Sequence, residues 1–430
     1  MSAAGKVTSR VVAIKAPQGG RIELDLDLSA IRWHDGRGLG AAGPDPRALD
    51  LLEIARLVWE VERYTPKRVS SERVRTVNVE MPLRAPDAWT EPAHQALVGM
   101  LRLLGNAEWR FEFTKRAGRT ALDDLGGGKA GVGESDTVML FSGGLDSTCG
   151  LGWLKKNGVE AVLASFYGAK TKQEAIAAQF RIGRHVQVGC TWDNGRRRFG
   201  GQFQYRSFMF LALGAVLARS LGAKTLLQFE NGPLSIAIPP SPTYRMTRHA
   251  HPKLHRLAET LFSILFGSPL EVANPFLSST KRQMAELLRG EIGRKEFDAV
   301  VRRTETCWNL TSRQVIGKIA KKPGIACGLC VPCVVRRTAV LGNDVQHAVD
   351  LTSRKDPHFK DPNARVHVDA YLGWSNALTG PGYDLNRFAF EAPQVVREAV
   401  SNSAGMLTMD TTFDLCRTFA QELIGAFPRP

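Results

Sequence analysis

The fold of this chain is decided by the stretch VMLFSGGLDSTCGL, residues 138–151. Its first four residues are apolar without alternation, which is typical of a strand buried on both faces of a parallel sheet. The adjacent Gly143 and Gly144 then allow a tight turn, and a helix is predicted from about Asp146 to Asn157. The stretch therefore predicts the strand, turn and helix that begin an α/β unit.

The turn has the composition of an anion receptor. Two glycines let backbone N–H groups converge, and the helix N-terminus adds partial positive charge. Ser142 and Ser147 can donate to phosphate oxygens, and Asp146 can cap the helix or hold a Mg²⁺ ion. The segment lacks the Gly-Lys-Ser/Thr of a Walker loop and the Gly-x-Gly-x-x-Gly of the dinucleotide fold. A serine-capped turn without a ligand is the structural alternative.

Further apolar runs extend the same pattern along the chain. Residues 160–166 and 224–229 are predicted strands, and residues 206–220 are predicted to form a helix before the second of them. Strands and helices at this spacing favour an α/β fold with a doubly wound parallel sheet.

The regions outside this core have other patterns. The glycine-rich residues 125–135 predict a domain boundary. We therefore expect an α+β accessory domain at 1–130, the core with its metal segment at 131–341, and a mostly helical C-terminal extension at 342–430. The accessory domain is predicted to contain strands at residues 21–28, 74–81 and 109–113 and helices near 51–59 and 92–104, and the last helix of the chain is predicted at residues 411–424.

Four of the seven cysteines are spaced as metal ligands. Cys327, Cys330 and Cys333 are separated by two residues each, Gly328 permits the turn between the first two, and Cys307 supplies a fourth thiolate. A closed set of four thiolates favours zinc, and an iron–sulfur cluster is the alternative. The remaining three are expected to be core thiols: Cys149, Cys190 and Cys416.

The form SGGxDS resembles the PP-loop of the N-type ATP pyrophosphatases, which cleave ATP between the α and β phosphates and adenylate an acceptor. Residues 138–337 are most similar to the 7-cyano-7-deazaguanine synthases, the QueC family. That family also has the Cys-Gly-x-Cys-x-x-Cys-x-x-Arg pattern found at residues 327–336, and binds zinc there. The resemblance implies a PP-loop (HUP-like) fold with ATP, Mg²⁺ and Zn²⁺ as cofactors. In this chain the spacer between Cys307 and Cys327 is longer and more basic than in that family.

The resemblance also assigns roles to single residues. ATP binding is expected at Ser142, Gly143, Gly144, Leu145, Asp146, Ser147, Phe166, Tyr167 and Gly168. Catalytic roles are expected for Asp146, Ser147, Arg206 and Lys281. A surface charge is the alternative for Arg206. A helix N-cap at Ser279 or Thr280, without further function, is the alternative for the Lys281 segment.

The acceptor is expected beyond the strand at residues 224–229, because doubly wound folds bind ligands at the carboxyl ends of their strands. Glu230 and Asn231 are candidates for substrate binding there, together with His251. His249, His251 and His255 do not share one helical face, so a substrate-contacting or structural role is expected rather than a metal site. This region departs from the family's pattern, which implies an altered acceptor pocket.

Together these features predict an ATP-dependent ligase. It would adenylate a carboxylic acid of the 7-deazaguanine type, release pyrophosphate and transfer the acyl group to ammonia or a protein amine. The added flanks resemble those of larger relatives in bacterial anti-phage gene clusters, so an acceptor protein from the same cluster is an expected partner. The alternatives are a tRNA-modifying PP-loop adenylase and a non-catalytic nucleotide-sensing defence scaffold.

Composition bounds these expectations. With 430 residues, 43% apolar and 23% charged, the chain is globular rather than disordered. Its longest apolar run, residues 208–218, is far shorter than the roughly 20 residues that span a bilayer. The N-terminus lacks the apolar core of a signal peptide. A cytoplasmic location without membrane contact is therefore expected. A net charge of +15 attracts polyanions, among them nucleotides, acidic proteins and nucleic acid, although no nucleic-acid motif is present. The basic spacer at residues 308–326 is either a grip for an acidic partner or a solvated hairpin.

Overall fold

The computed structural model describes residues 7–15, 21–35, 45–64, 75–105, 107–124, 133–166, 170–192, 204–239, 246–315, 318–340 and 345–429. The strands in these ranges are β1 (Thr8–Lys15), β2 (Arg21–Asp27), β3 (Ile31–Asp35), β4 (Arg75–Leu83), β5 (Ala107–Lys115), β6 (Thr137–Leu140), β7 (Val162–Phe166), β8 (His185–Trp192), β9 (Thr225–Leu227) and β10 (Glu271–Ala273).

The helices include several that carry or support the candidate site. They are α1 (Pro46–Tyr64), α2 (Glu91–Leu104), α3 (Leu145–Asn157), α4 (Lys170–Gln179), α5 (Arg206–Leu221), α6 (Gly232–Ser235), α7 (Pro252–Phe266), α8 (Lys281–Ile292), α9 (Arg294–Val301), α10 (Val331–Ala339), α11 (Pro362–Leu378), α12 (Leu385–Glu391), α13 (Gln394–Asn402) and α14 (Met409–Ala426).

The central sheet has the strand order β10-β9-β6-β7-β8-β3. The five strands from β10 to β8 are parallel, and β3 closes one edge antiparallel to β8. The predicted α/β class is therefore confirmed. The prediction missed β8, because its sequence HVQVGCTW interrupts the apolar residues with His185 and Gln187 and does not read as a fully buried strand.

Helices cover both faces of this sheet. Val138 and Leu140 on β6 face the cluster that contains α5, whereas Met139 and Phe141 face the cluster that contains α3 and α8. Along the chain the strands run from β6 outward to β8 and then return to β9 on the other side of β6. The crevice between the carboxyl ends of β6 and β9 is the point at which such sheets bind ligands.

The N-terminal region forms a second, four-stranded sheet with the order β2-β1-β4-β5. The strands and helices predicted in this region are present. Helix α1 contacts α5, and one continuous apolar cluster joins this region to one face of the central sheet. Strand β3, from the same region, belongs to the central sheet. Most of the predicted boundary at residues 125–135 lies outside the described residues.

The C-terminal helices pack against the carboxyl edge of the central sheet through α14. On α14, Leu415 lies 2.7 Å from a Cβ placed on Gly232, and Glu422 accepts a 2.7 Å hydrogen bond from Thr280 Oγ1. The final helix thus contacts the first residue of α6 and the N-cap residue of α8. None of the described helices combines the length and the apolarity that crossing a bilayer requires.

Candidate active site and candidate metal centre

The glycine turn between β6 and α3 is held in a conformation that requires glycine. Gly143 has a φ of +75°, and a Cβ on it would lie 3.1 Å from Cγ of Gln173. Ser142 Oγ lies 3.2 Å from Ser147 Oγ and accepts a 3.2 Å hydrogen bond from the Gly144 N–H. The two serine hydroxyls predicted to bind phosphate therefore lie together at the turn.

The first turn of α3 leaves backbone donors without an acceptor. The helical hydrogen bonds begin with Thr148 N donating to Gly144 O at 3.0 Å. The N–H groups of Leu145, Asp146 and Ser147 donate to no acceptor in the described part of the chain. Such donors, aligned with the helix dipole, form a receptor for an anion.

Asp146 is the centre of a cluster of charged and amide side chains, which we call the site cluster: Asp146, Glu230, Asn231, His249 and Lys281. Lys281 Nζ lies 2.5 Å from Asp146 Oδ2. Asn231 donates through its backbone N–H and its Nδ2 to Asp146 Oδ1, at 3.3 and 3.2 Å. The same two groups also donate to Glu230 Oε1, at 3.0 and 2.5 Å, so the two carboxylates lie side by side.

His249 completes the site cluster on its solvent side. Its Nε2 lies 2.7 Å from Glu230 Oε2, and its Nδ1 lies 3.1 Å from Thr247 Oγ1. Because a carboxylate only accepts, the imidazole donates to Glu230. The sequence prediction chose His251 rather than His249 for this region. The His-Ala-His spacing indicated the segment but could not indicate which imidazole reaches Glu230.

The two carboxyl groups of the site cluster have divergent acidities. Burial and the neighbouring Glu230 carboxylate raise the pKa of Asp146 to about 6, although Lys281 opposes this. Burial alone would raise the pKa of Glu230, but the hydrogen bond from His249 and the charge of Lys281 outweigh it and lower the pKa to about 2. Burial would lower the pKa of Lys281, but Asp146 and Glu230 raise it. Two carboxylates with one ammonium leave excess negative charge, and such oxygen donors suit Mg²⁺.

Lys281 occupies an unfavourable position for a lysine, the first residue of α8, where the helix dipole repels a cation. Thr280 caps the helix in a capping box with Gln283, as one alternative from sequence predicted. The buried Glu422 accepts from the Thr280 hydroxyl, and burial raises the pKa of Glu422 to about 7. The Thr280 cap and its hydrogen bond to α14 fix the start of α8, which carries Lys281. The side chain of Lys281 is 1% exposed and its ammonium lies next to the carboxylates.

Phe166 and Arg206 lie along the next part of the sheet edge. Phe166 ends β7, and its ring centre lies 6.0 Å from that of Phe210 and 5.5 Å from that of Trp59. Arg206 is exposed at the start of α5, with its guanidinium 5.9 Å from the Phe210 ring centre. The predicted residues Tyr167 and Gly168 lie outside the described residues.

His251 does not join the site cluster. It is fully buried, caps α7 by accepting from Lys253 N, and its Nε2 donates to the Val395 carbonyl at 3.0 Å. His255, also buried, contacts Gln228 Oε1 at 3.0 Å. Of the two roles expected from sequence, the structural one fits both imidazoles.

Gln173 is a supporting residue that the sequence did not reveal. It is buried on α4, and its Nε2 donates to Ser142 O at 3.2 Å. Gln187 on β8 orients its amide by donating to Gln173 Oε1 at 3.1 Å. The neighbouring Glu174 is exposed. Only the fold distinguishes these two adjacent polar residues.

The four predicted cysteine ligands converge at a second site. The sulfur atoms of Cys307, Cys327, Cys330 and Cys333 all lie within 4.8 Å of one another, and three of these residues are buried. Cys327 and Cys333 have their sulfurs 4.0 Å apart. Tetrahedral zinc with bonds of about 2.3 Å places sulfurs about 3.8 Å apart, so the cluster could hold a metal ion such as zinc.

Backbone groups surround these sulfurs as they do in metal–thiolate sites. The Cys327 N–H donates to Cys307 Sγ at 3.2 Å, and the Cys330 N–H donates to Cys327 Sγ at 3.3 Å. Gly328 has a φ of +77°, and a Cβ there would lie 1.8 Å from Val349 O. These donors support thiolate rather than thiol ligands, and the glycine is required by close backbone packing.

The chain was also compared with known proteins. No protein-family model matches it, and no curated protein does. The residues of the turn, the site cluster and the cysteine cluster are therefore the basis on which its function is assigned.

Proposed function

We propose that this protein is an ATP-dependent ligase of the PP-loop type, similar to the 7-cyano-7-deazaguanine synthases. It adenylates a carboxylic acid, releases pyrophosphate and transfers the acyl group to an amine. The observation that carries this proposal is the position of Asp146. That residue lies in the SGGxDS turn and is held by Lys281, next to Glu230, in the crevice between β6 and β9.

The turn suits the terminal phosphates of the nucleotide. The unpaired N–H groups at the start of α3 bind phosphate oxygens, and Ser142 and Ser147 add hydroxyl donors. Lys281 supplies a fixed positive charge at the same point. These groups stabilise the charge that collects on pyrophosphate as it leaves.

Asp146 and Glu230 are the residues that would hold Mg²⁺. A bound Mg²⁺ would neutralise charge on the phosphate oxygens. The low pKa of Glu230 keeps that carboxylate ionised. Burial and the Glu230 carboxylate raise the pKa of Asp146 even with Lys281 beside it, so a further positive charge there would favour its ionised form. His249 orients Glu230 through its 2.7 Å hydrogen bond.

In the proposed reaction, a carboxylate oxygen of the acid attacks the α-phosphorus of ATP. The bond from that phosphorus to the β-phosphate bridging oxygen breaks, and pyrophosphate departs. An amine then attacks the acyl carbon, AMP leaves with the oxygen that came from the acid, and the amine gives up a proton. The protein needs no covalent nucleophile, because its residues bind and orient the reactants.

Phe166 and Arg206 are proposed to bind the rest of the nucleotide. Phe166 ends β7, where the resemblance expects the adenine, and its ring is fixed by Trp59 and Phe210. Arg206, at the start of α5, would place its guanidinium along the same edge, where two parallel N–H donors suit an anionic group. The Cys cluster would hold zinc in a structural role, since its four thiolates leave no open position for chemistry.

The test is an incubation of the protein with ATP, Mg²⁺, ammonium and 7-carboxy-7-deazaguanine in which both carboxylate oxygens are ¹⁸O. We expect AMP and pyrophosphate in equal amounts, with one ¹⁸O atom in each AMP. Formation of ADP and phosphate, or of unlabelled AMP, would contradict the proposal. So would the absence of turnover with this acid and with every acid of a wider panel.

A matched pair of lysine variants controls this experiment. Lys281→Met removes the buried ammonium beside Asp146 and should abolish AMP formation. Lys295→Met removes an exposed lysine on α9 and should leave it unchanged. Equal activity in the two variants would remove Lys281 from the proposed site.

A further inference from the structure

The segment between Asp298 and Asp344 concentrates positive charge. It holds eight Lys or Arg residues and one acidic residue, Glu305, whereas the whole chain has 57 basic and 42 acidic residues. The Glu305 carboxylate is itself paired with Lys172, so it does not offset this charge. Neither the glycine turn nor the site cluster uses these cations, and their charge requires a separate explanation.

Three of the eight cations belong to the fold, and all three are buried. Arg336 donates to two threonine hydroxyls, both at 2.8 Å. Arg337 pairs with Asp350 at 2.7 Å, and the Lys321 ammonium donates to the Leu310 carbonyl at 3.0 Å. These charges are held inside the protein and do not face an external ligand.

The other five cations are exposed, and four of them form what we call the basic strip: Arg302, Arg313, Lys318 and Lys322. None of these four side chains has a hydrogen bond, ion pair or ring contact with any residue that the structure describes. The fifth, Arg303, donates to Gln179 Oε1 at 3.4 Å. Several exposed arginines elsewhere are paired with carboxylates, such as Arg119 with Asp124 at 2.8 Å. The basic strip therefore presents unneutralised charge to the solvent.

The basic strip is carried by a hydrogen-bonded hairpin and by the end of α9. The Lys321 N–H donates to Arg313 O at 2.7 Å, which joins the two arms of the hairpin. At its base, the Gly324 N–H donates to Leu310 O at 2.8 Å. Arg302, which follows α9, lines the same cavity as Leu310 and Gly324, so it lies beside the base of the hairpin.

Trp308 adds an aromatic ring to this surface. Its side chain is 47% exposed, and its ring contacts no other ring or cation in the described part of the chain. Its backbone is held on both sides, because Cys307 belongs to the cysteine cluster and the Asn309 N–H donates to Cys307 Sγ at 3.3 Å. A single exposed tryptophan is ordinary on a protein surface, but this one lies within a segment of unpaired cations.

These features favour a nucleic-acid strand over other polyanions. Phosphates bind Lys and Arg by displacing counterions, and an unpaired base stacks on an exposed aromatic ring whatever its identity. The bases of a duplex are already stacked on one another and cannot use Trp308. An acidic protein would need an apolar centre in its interface, and Trp308 is the only large apolar side chain exposed among the described residues of 302–327.

We infer that the basic strip and Trp308 form a binding site for single-stranded nucleic acid. The phosphates lie along the four cations, and one base stacks on Trp308. Because these contacts involve phosphates and the face of a base, the site takes RNA and DNA of any sequence. The inference goes beyond the proposed function and does not depend on it, since binding requires neither ATP nor turnover.

The test is a fluorescence-anisotropy titration of the zinc-loaded full chain, without ATP, into labelled oligothymidylate and oligouridylate of about 12 nucleotides. With four phosphate contacts, the affinity should fall about 50-fold between about 50 and 200 mM salt, a logarithmic slope of about −3. Both strands should behave alike. At the higher salt they should bind more tightly than a duplex of the same length, because stacking on Trp308 persists when the electrostatic contribution has weakened.

A triple variant tests the charges. Substitution of the three hairpin cations leaves Arg302 as the one phosphate contact, so the affinity should fall only about threefold over the same salt range. The variant combines three changes: Arg313→Gln, Lys318→Gln and Lys322→Gln. Its matched control changes three exposed cations outside the basic strip and should keep the 50-fold loss expected for about four contacts. The control combines Lys156→Gln, Lys360→Gln and Arg417→Gln.

A tryptophan variant tests the stacking. Trp308→Ala should weaken the binding of single strands about tenfold at every salt concentration, with the slope unchanged, and should leave duplex binding as it is. Phe390→Ala, at an aromatic residue that is 84% exposed, is the matched control and should bind as the unchanged protein does.

Several results would overturn the inference. They are no binding of either strand at about 50 mM salt, equal losses in the two triple variants, and normal single-strand binding by Trp308→Ala. Polyglutamate that competes as well as the single strands at equal charge would overturn it in favour of an acidic protein. Zinc content and melting temperature show whether each variant is folded. If the triple variant unfolds, Lys322→Gln alone decides, with an expected fall of about 20-fold instead of about 50-fold over the salt range.

Discussion

Two regions of this molecule bury opposite charges, and they do so in different ways. In the N-terminal region, Arg84 and Arg116 meet the carboxylates of Asp50, Glu53 and Asp123, which we call the arginine network. In the central crevice, the site cluster sets one lysine and one histidine against two carboxylates. The arginine network joins the N-terminal strands to α1, and the site cluster joins four separate segments of the core.

The central carboxylates of the arginine network are closed to solvent, and Asp123 at its edge is 15% exposed. The side chains of Asp50 and Glu53 are 0% exposed, and that of Arg116 is 3% exposed. Arg84 uses all three guanidinium nitrogens on carboxylates, and Asp50 also accepts from the backbone N–H groups of Arg84 and Ala85. Directional hydrogen bonds therefore compensate the buried charges.

The site cluster stays open on one side. His249 is 32% exposed, and Glu230 and Asp146 are 13% and 12% exposed. Its two carboxylates share donors from Asn231 instead of each having a guanidinium. The difference teaches that a buried charge with complete internal compensation serves the fold. Incomplete compensation next to an opening leaves a place for a ligand.

The largest expected effect concerns the cysteine cluster, which is mostly buried and so resembles the arginine network. Cys330→Ser should remove one ligand and lower bound zinc, measured by mass spectrometry of the metal, well below one ion per chain. Structural zinc sites have apparent binding free energies on the order of 10 kcal/mol, so the melting temperature should also fall strongly. Cys190→Ser, at a thiol that is not in the cluster, should retain the metal. If Cys330→Ser lost its zinc but kept its melting temperature, the cysteine cluster would not stabilise the fold as the arginine network is expected to do.

The second effect tests the arginine network itself. Glu53→Ala leaves Arg84 and Arg116 buried with one carboxylate fewer, which should lower the free energy of unfolding by about 3–5 kcal/mol. Urea denaturation measures this change. Glu108→Ala, at an exposed position on β5, should change it by less than about 0.5 kcal/mol. Similar values for the two variants would mean that the network contributes little to the fold.

The third effect tests the open cluster through its activity. Asp146→Asn should reduce the formation of AMP by about 10³-fold, equivalent to about 4 kcal/mol of transition-state stabilisation. It should lower the free energy of unfolding far less than Glu53→Ala does. Asp136→Asn, at a carboxylate that is 86% exposed, is the control and should keep full turnover. The comparison would be reversed if Asp146→Asn kept its turnover but lost as much free energy of unfolding as Glu53→Ala.

The smallest effect is a difference in the sign of a pH dependence. The pKa of Asp146 is raised to about 6 from 3.8, so between these pH values the folded state keeps a proton that the unfolded state releases. The free energy of unfolding therefore falls as the pH rises from about 4 to about 6. Asp146→Asn lacks this loss and should gain on the order of 3 kcal/mol relative to the unchanged protein as the pH rises between those values.

The arginine network provides the opposite sign for comparison. Burial raises the pKa of Asp123, but the hydrogen bonds from Arg84 and the Thr120 N–H, together with the charges of Arg84 and Arg116, outweigh burial and lower it. This carboxylate therefore stabilises the fold above its unfolded pKa and loses that contribution in acid. Asp123→Asn should therefore become relatively less stable as the pH rises through 4. Unfolding curves of both variants at several pH values measure the two slopes, and slopes of equal sign would refute the contrast.

The local features of both candidate sites could be predicted from sequence. The SGGxDS turn and the cysteine spacing each lie within a few residues, so backbone geometry alone determines which groups converge. The parallel strands β6, β7 and β9 were predictable for a similar reason, because burial on both faces leaves a continuous apolar run.

The long-range contacts could not be predicted in the same way. His249, Gln173 and Glu422 reach the site from segments whose sequences look like ordinary loops and amphipathic helices. Strand β3 belongs to the N-terminal region of the chain but pairs with β8 of the central sheet, and nothing in its five residues indicates that pairing. Such pairings are decided by which surfaces remain to be covered after the local elements form. A single sequence does not display that competition.

The last helix has a consequence for anyone who handles this protein. Because α14 supplies the acceptor for Thr280 and covers Gly232, it supports the start of α8, which carries Lys281, and the start of α6, which follows Asn231. A shortened version ending before Met409 would release the start of α8, and Lys281 with it. Truncation from that end should therefore have the same effect as a substitution in the site cluster, although none of the deleted residues belongs to that cluster.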